Sequence, residues 1–147
     1  MEVVATDVSA FLGAHGGTAQ AMGVQLSQAQ LGLVMYKKAD KTSYALQASG
    51  QVALVGVSGV TLKGSLTAEV NRTGAAVNES LSTPGGTVAV KFADGTNVMR
   101  LKGTVELGID SYVYLKGSLV FSKTEDVTVT LSNGKTQKVS LIQIGAS

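Results

Sequence analysis

The residues able to do chemistry are few and scattered. His15 is the only histidine, in Gly13-Ala14-His15-Gly16-Gly17. A glycine-flanked histidine could act as general base for a serine nucleophile, but no Gly-x-Ser-x-Gly elbow partners it. Gly134-Lys135-Thr136 has the ending of a phosphate loop. The first glycine of that motif would fall at Val129, and the segment reads as a hairpin, so it predicts no phosphate site. Calcium needs several convergent oxygen ligands. Asp40 and Asp94 stand at equivalent places and Glu125-Asp126 makes a third acidic turn, yet no Asp-x-Asp-x-Asp loop appears. Ten acidic residues spread over turns and strands single out no carboxylate pair for glycoside hydrolysis. Asn71-Arg72-Thr73 and Asn78-Glu79-Ser80 fit the glycosylation pattern and are expected in an exposed linker. No catalytic, cofactor-binding or metal-ligating residue is assigned, no cofactor is expected, and the chain is read as not an enzyme.

The elements that would position any site follow from composition and period. Among 147 residues there are 20 valines, 14 threonines and 18 glycines, one proline and no cysteine or tryptophan. Without cysteine, disulfide scaffolds, zinc ribbons and thiol redox sites are excluded. A content of 44% hydrophobic and 15% charged residues predicts a folded core rather than disorder. A net charge of +2 on dispersed lysines and few aromatics argues against nucleic acid as a partner. The uncharged stretches 8–36 and 42–62 are interrupted by Gly, Ser, Thr and Gln, so no membrane span is expected. Met1-Glu2-Val3-Val4 lacks the features of a signal peptide.

Alternation is the strongest signal. Even positions from Tyr44 to Val70 are apolar or glycine except Ser58, and odd ones carry Gln, Ser, Thr, Lys and Glu. The same pattern returns from Met99 to Phe121 in the odd positions. Such a period of two marks strands with one buried face. The two regions are copies. Residues 45–70 align with 98–123 at an offset of 53 with 10 of 26 identical, including Leu62-Lys63-Gly64-Ser65-Leu66 against Leu115-Lys116-Gly117-Ser118-Leu119. Residues 32–42 align with 86–96 at an offset of 54 with 6 of 11 identical.

Each copy therefore predicts a three-stranded meander: 31–71, then, after a polar linker over 72–85, 86–123. A C-terminal hairpin over 124–147 turns at Asn133-Gly134. The first 30 residues form a cap, in which Thr6 or Asp7 starts a short helix through Leu12, stopped by Gly13, and 19–22 adds a helical turn. The fold class is all-β: an antiparallel sandwich or elongated roll from two pseudo-symmetric meanders, forming one domain over 1–147. The expected core is Leu33, Tyr44, Leu46, Val52, Leu54, Val60, Leu62, Leu66, Val88, Met99, Leu101, Val105, Leu107, Val113, Leu115, Leu119, Phe121, Val129 and Leu131.

Glycines 50, 64, 103 and 117 lie on the apolar side. With hairpin loops of about five residues, Gly50 would face Gly64 and Gly103 would face Gly117, with Leu54 opposite Val60 and Leu107 opposite Val113. Such glycines either let a long sheet coil, make room for Tyr44 or Phe121, or open an apolar groove for an acyl chain.

Several stretches carry a resemblance in order along the chain: 5–13 (Ala-Thr-Asp-Val-Ser-Ala-Phe-Leu-Gly), 23–26, 31–36, 44–50, 70–74 and 83–86. Together they are similar to one repeat of the tandem arrays in very large secreted bacterial surface or adhesin-like proteins. The resemblance implies an extracellular or cell-surface location and copies of itself or adjacent repeats as partners. Such repeats are more acidic and this chain carries many lysines, so the resemblance does not carry calcium-dependent stiffening over to it. Ala146-Ser147 matches Ala5-Thr6, so Ile144-Gly145-Ala146-Ser147 would run into another copy's Asp-Val-Ser-Ala-Phe-Leu-Gly, which gives a period of 141. The function expected is a non-enzymatic structural module of an extracellular filament, stalk or adhesin. The alternative is a binding module for a glycan or an apolar ligand.

Overall fold

The computed structural model describes residues 1–38 and 41–147. Among them are nine strands and no helix: β1 (Glu2–Ala14), β2 (Met22–Lys38), β3 (Lys41–Val55), β4 (Val60–Asn71), β5 (Val77–Thr83), β6 (Gly86–Phe92), β7 (Val98–Ile109), β8 (Val113–Thr130) and β9 (Thr136–Ala146). The class is all-β, as the alternation requires. Seven strands form one antiparallel sheet in the order β1-β2-β3-β4-β7-β8-β9. The other two, β5 and β6, form a separate hairpin that packs on β1, β2 and β3.

The long hairpins β3–β4 and β7–β8 lie where the alternation predicts them, but their registers differ from expectation by two residues. Gly50 faces Leu66 and Gly64 faces Val52. Gly103 faces Leu119, Gly117 faces Val105 and Leu107 faces Leu115. The turns explain this. Pairing in the first hairpin stops at Ala53 and Lys63, because the end of β3 follows β2 while the start of β4 follows β7. The second closes tightly around Asp110-Ser111-Tyr112. Both registers nonetheless superpose at the 53-residue offset: the pair Gly50/Leu66 becomes Gly103/Leu119. The duplication is thus visible in hydrogen-bond register as well as in sequence.

The copies do not make two facing sheets. β4 of the first copy pairs with β7 of the second along its whole length, from Val60/Ile109 to Asn71/Val98. Beside β3 the equivalent edge is filled by β2. With β7 flanked by β4 and β8, β6 has no place in the sheet and pairs with β5 instead. The predicted linker 72–85 therefore contains a strand, and Pro84-Gly85 is a two-residue hairpin turn between Thr83 and Gly86.

The hairpin makes the closed core. Val34, Ala45, Val77, Leu81 and Val90 are buried together, with Val4 and Phe92 against them. Gly32 is required here, since a Cβ would lie 2.6 Å from the Val90 side chain. Of the expected core, only Val88 is fully buried. The rest of that list is half-buried or, at Tyr44, Met99, Leu101, Val113, Leu115 and Leu131, exposed. The reason is geometric: the hairpin covers the face of Ala45 and Gln47, opposite to the alternating apolar face.

The N-terminal helix is absent. Residues 2–14 are strand β1, paired to β2 from Glu2/Val34 to Ala14/Met22. Asp7 adopts a φ of 55° in a bulge between Ala5 and Val8, so its tolerance of the left-handed region serves a bulge and not a cap. Gly13 does not stop a helix. It faces Gly23, and a Cβ at Gly13 would lie 2.2 Å from the Met22 carbonyl oxygen. Residues 15–21 form successive turns in which the Thr18 amide donates to the His15 carbonyl and the Ala21 amide to that of Thr18. The Ala39-Asp40 turn lies outside the described residues.

The glycines on the apolar face seat neighbouring strands and side chains, not Tyr44 or Phe121. A Cβ on Gly103 would lie 2.0 Å from the Ser65 carbonyl oxygen and 2.8 Å from a methyl of Leu66. We expect Gly103→Val to destabilise the chain by about 1–3 kcal/mol, by overpacking. Gly145→Ala, with nothing within 4 Å of the new Cβ, should change little. Urea denaturation of the two variants checks this.

Candidate functional site

The two faces of the sheet differ in chemistry. The face carrying Gln47, Glu69, Arg100 and Glu106 is laced with ion pairs. Glu69 is buried, with its carboxylate accepting from Lys102 Nζ at 2.7 Å and Arg100 Nη1 at 3.0 Å. Burial alone would raise the Glu69 pKa, but the hydrogen bonds from Lys102 and Arg100 outweigh it and hold the carboxyl below its ordinary value. Glu106 sits between Lys63 at 3.0 Å and Lys116 at 2.8 Å, the same lysine in the two copies. A further ion pair includes a residue of the other face, Lys123: Arg72 grips Glu125 with both guanidinium nitrogens, Nη2 at 3.1 Å from Oε1, and Lys123 adds a contact at 3.0 Å. The Arg72 and Lys123 hydrogen bonds bring Glu125 down to about 2.

The opposite face is mostly apolar. One row across the strands runs Val3, Leu33, Leu46, Val70, Met99, Lys123, Ile142. The next runs Ala5, Leu31, Ala48, Ala68, Leu101, Phe121, Ile144. Beyond them, Gly50, Leu66, Gly103, Leu119 alternate small with large, and Val52, Gly64, Val105, Gly117 do the reverse. Lys123 is the one charge in these four rows. A groove of about 440 Å³ lies on this face over Leu31, Ala48, Gly50, Leu66, Ala68 and Leu101, and no charged residue lines it.

The candidates named from sequence are not brought together. His15 is exposed in the β1–β2 turn, its carbonyl accepting from Thr18. Gly134-Lys135-Thr136 closes the β8–β9 hairpin, where Leu131 and Lys135 are linked through the backbone, so it is a turn as expected. Asp94 is exposed and accepts from the Thr96 amide, and that threonine's side-chain and backbone hydrogen bonds lower its pKa. Asp40 lies outside the described residues. Glu125-Asp126 is a bulge in β8, not a free turn, and Glu125 is held by Arg72. No group of three or more His, Asp or Glu able to hold a metal occurs among the described residues.

The glycosylation reading of Asn71 is corrected. Asn71 is fully buried; its Nδ2 donates to the carbonyls of Ala75 and Asp94, and its Oδ1 accepts from Thr73. It has no free amide to modify, and it pins the start of the β5–β6 excursion to the loop before β7. Asn78 is exposed, but on a strand. Sequence reasoning missed both Asn71 and Glu69. Their one signal was their place, successive members at the end of the polar series of β4 beside the linker.

No known protein family matches the chain, and comparison with curated proteins and with solved structures finds no match either. No helix among the described residues is long and apolar enough to cross a membrane.

Because Glu125 is depressed in the folded state, its contribution to stability is present above the ordinary carboxylate range and is lost as pH falls toward 2. Glu125→Gln should therefore be less stable than the parent at pH 7, and the difference should vanish near pH 2. Urea melts at both pH values, with Glu2→Gln, which has no ion pair among the described residues, as the control, check the sign.

Proposed function

We propose that the chain is a non-enzymatic structural module of an extracellular filament, stalk or adhesin, acting by end-to-end stacking or self-assembly of its sheet. The observation that carries this reading is the uncovered apolar face. Strands about 4.8 Å apart, with two apolar rows crossing all seven and two crossing four, give a face of roughly 600 Å². The largest apolar patch on a typical monomer is about 300–600 Å² and is itself often functional. An area near 800 Å² per partner is what a standard protein interface buries. Two copies packed through these faces would make the two-layered sandwich that the alternation suggests, with large residues of one copy set against glycines of the other.

The resemblance to repeats of secreted surface arrays points the same way and is the basis for the extracellular location. Duplication within the chain adds to it, because a unit that has already joined its own copy edge to edge uses the geometry an array needs. A second reading, a binding module for an apolar ligand, is favoured by the groove. Its uncharged lining suits an alkyl chain rather than a glycan.

Native mass spectrometry over a concentration series separates the two. Assembly predicts dimers and larger species in the parent chain. Leu101→Lys, at a position already exposed, should weaken association at least tenfold, about 1.4 kcal/mol. Monomers throughout, carrying a bound lipid, would replace assembly with the ligand reading.

A further inference from the structure

The outer edge of β8 is only partly filled. β9 covers it from Thr130 to Leu119, and the Ser118 and Ser147 backbones exchange hydrogen bonds of 2.7 and 3.0 Å. Beyond Ser118, residues 113–117 pair with β7 on one side and with nothing in the described structure on the other. Ser118 directs its amide and carbonyl toward β9, so by antiparallel alternation those of Lys116 and Tyr114 face the same empty edge. Tyr114 is 68% exposed and Leu115 59%. An edge of this kind is a template for another strand.

The occupant is specified by the two ends of the sheet. β1 and β9 are its outermost strands and are separated by six antiparallel pairings, so they run in the same direction. Ala5 lies on the apolar face opposite Leu31, and Ala146 lies on that face opposite Leu119. Ala5-Thr6 and Ala146-Ser147 match, one identical and one conservative. The two segments use opposite edges: β1 is paired through the edge it turns to β2, and β9 through the edge it turns to β8. One strand can do both.

We infer that β9 of one copy and β1 of a second copy form a single shared strand, in which Ser147 takes the place of Thr6. This rests on the structural-module reading. The second copy's residues 7–11 then run along the empty edge of β8 at 113–117 while keeping their own pairing with β2. Its β2 residues 31–34 meet the first copy's β9 in place of residues 2–5. The joined copies are one continuous antiparallel sheet with six strands per unit, its apolar face on one side throughout.

The test uses a two-unit chain, residues 1–147 followed directly by residues 7–147, with amide hydrogen exchange read by NMR. Tyr114 and Lys116 of the first unit should exchange at least tenfold more slowly than in the single chain. The same amides of the second unit, which nothing follows, should be unchanged. Tyr114→Pro in the first unit removes an outward amide that the single chain leaves unbonded, so each unit folds but protection at Lys116 is lost. Equal exchange in the two folded units would overturn the inference. So would a direct fusion that fails to fold while a fusion through a glycine–serine linker folds. Protection without any higher assembly would leave the shared strand standing and remove only the filament reading.

Discussion

The pairing of β4 with β7 governs the rest of the molecule. It joins the long hairpin of one copy to that of the other through twelve residue pairs. Once it forms, β7 has no open edge, and the strand that repeats β2 must go elsewhere. It goes with β5 onto the other face, where Val88 and Val90 pack over Gly32, close to the residues they duplicate. A perfectly symmetric pair of meanders would have left β4 as a bare edge. The duplicated sequence instead yields one wide sheet and a small closed core.

That arrangement divides the energetics between the faces. On the hairpin side, a compact group of valines, leucine and alanine is sealed by Asn71, whose side chain satisfies backbone groups on both flanks of the β5–β6 excursion. Farther along the same face, acidic residues stand between basic ones from adjacent strands, and the buried Glu69 is answered by Arg100 and Lys102. Its pairing matters chiefly because an unanswered buried carboxylate would be costly. On the other side, the alternation that should close a core closes none within one chain. Leucines and valines there lie beside glycines in neighbouring strands, a corrugated surface suited to receive another.

Much of this was legible in the sequence. Period-two alternation located β3, β4, β7 and β8, the 53-residue offset revealed the copies, and Asn133-Gly134 marked the last turn. Periodicity shows which residues share a face but not what covers that face, so Leu46, Leu66 and Leu101 were assigned to a core they do not enter. Register was misread because a glycine-rich turn such as Gly56-Val57-Ser58-Gly59 does not reveal that its flanking strands part to follow different neighbours. The N-terminal helix failed for a related reason. Asp7 and Gly13 match cap signals, yet Val8, Ala10 and Leu12 also alternate, and a waiting partner in β2 decided between them. The hairpin was hidden by its polar flanks, although Val77, Leu81, Val88, Val90 and Pro84-Gly85 carry a strand-turn-strand pattern. As for a site, the scattering of His15 and the acidic residues was readable, and the glycines offered a groove as one of three readings, but its lining by Leu31, Ala48 and Leu101 depends on strand order.

The shared strand proposed between copies would make this chain one unit of a continuous sheet. Cryo-electron microscopy of a chain carrying several directly joined units tests it most directly. Six strand spacings of about 4.8 Å give an expected axial advance of about 29 Å per unit. The account predicts an unbroken ribbon with that repeat. Separate globular beads linked by gaps, with no strand continuity between units, would contradict it.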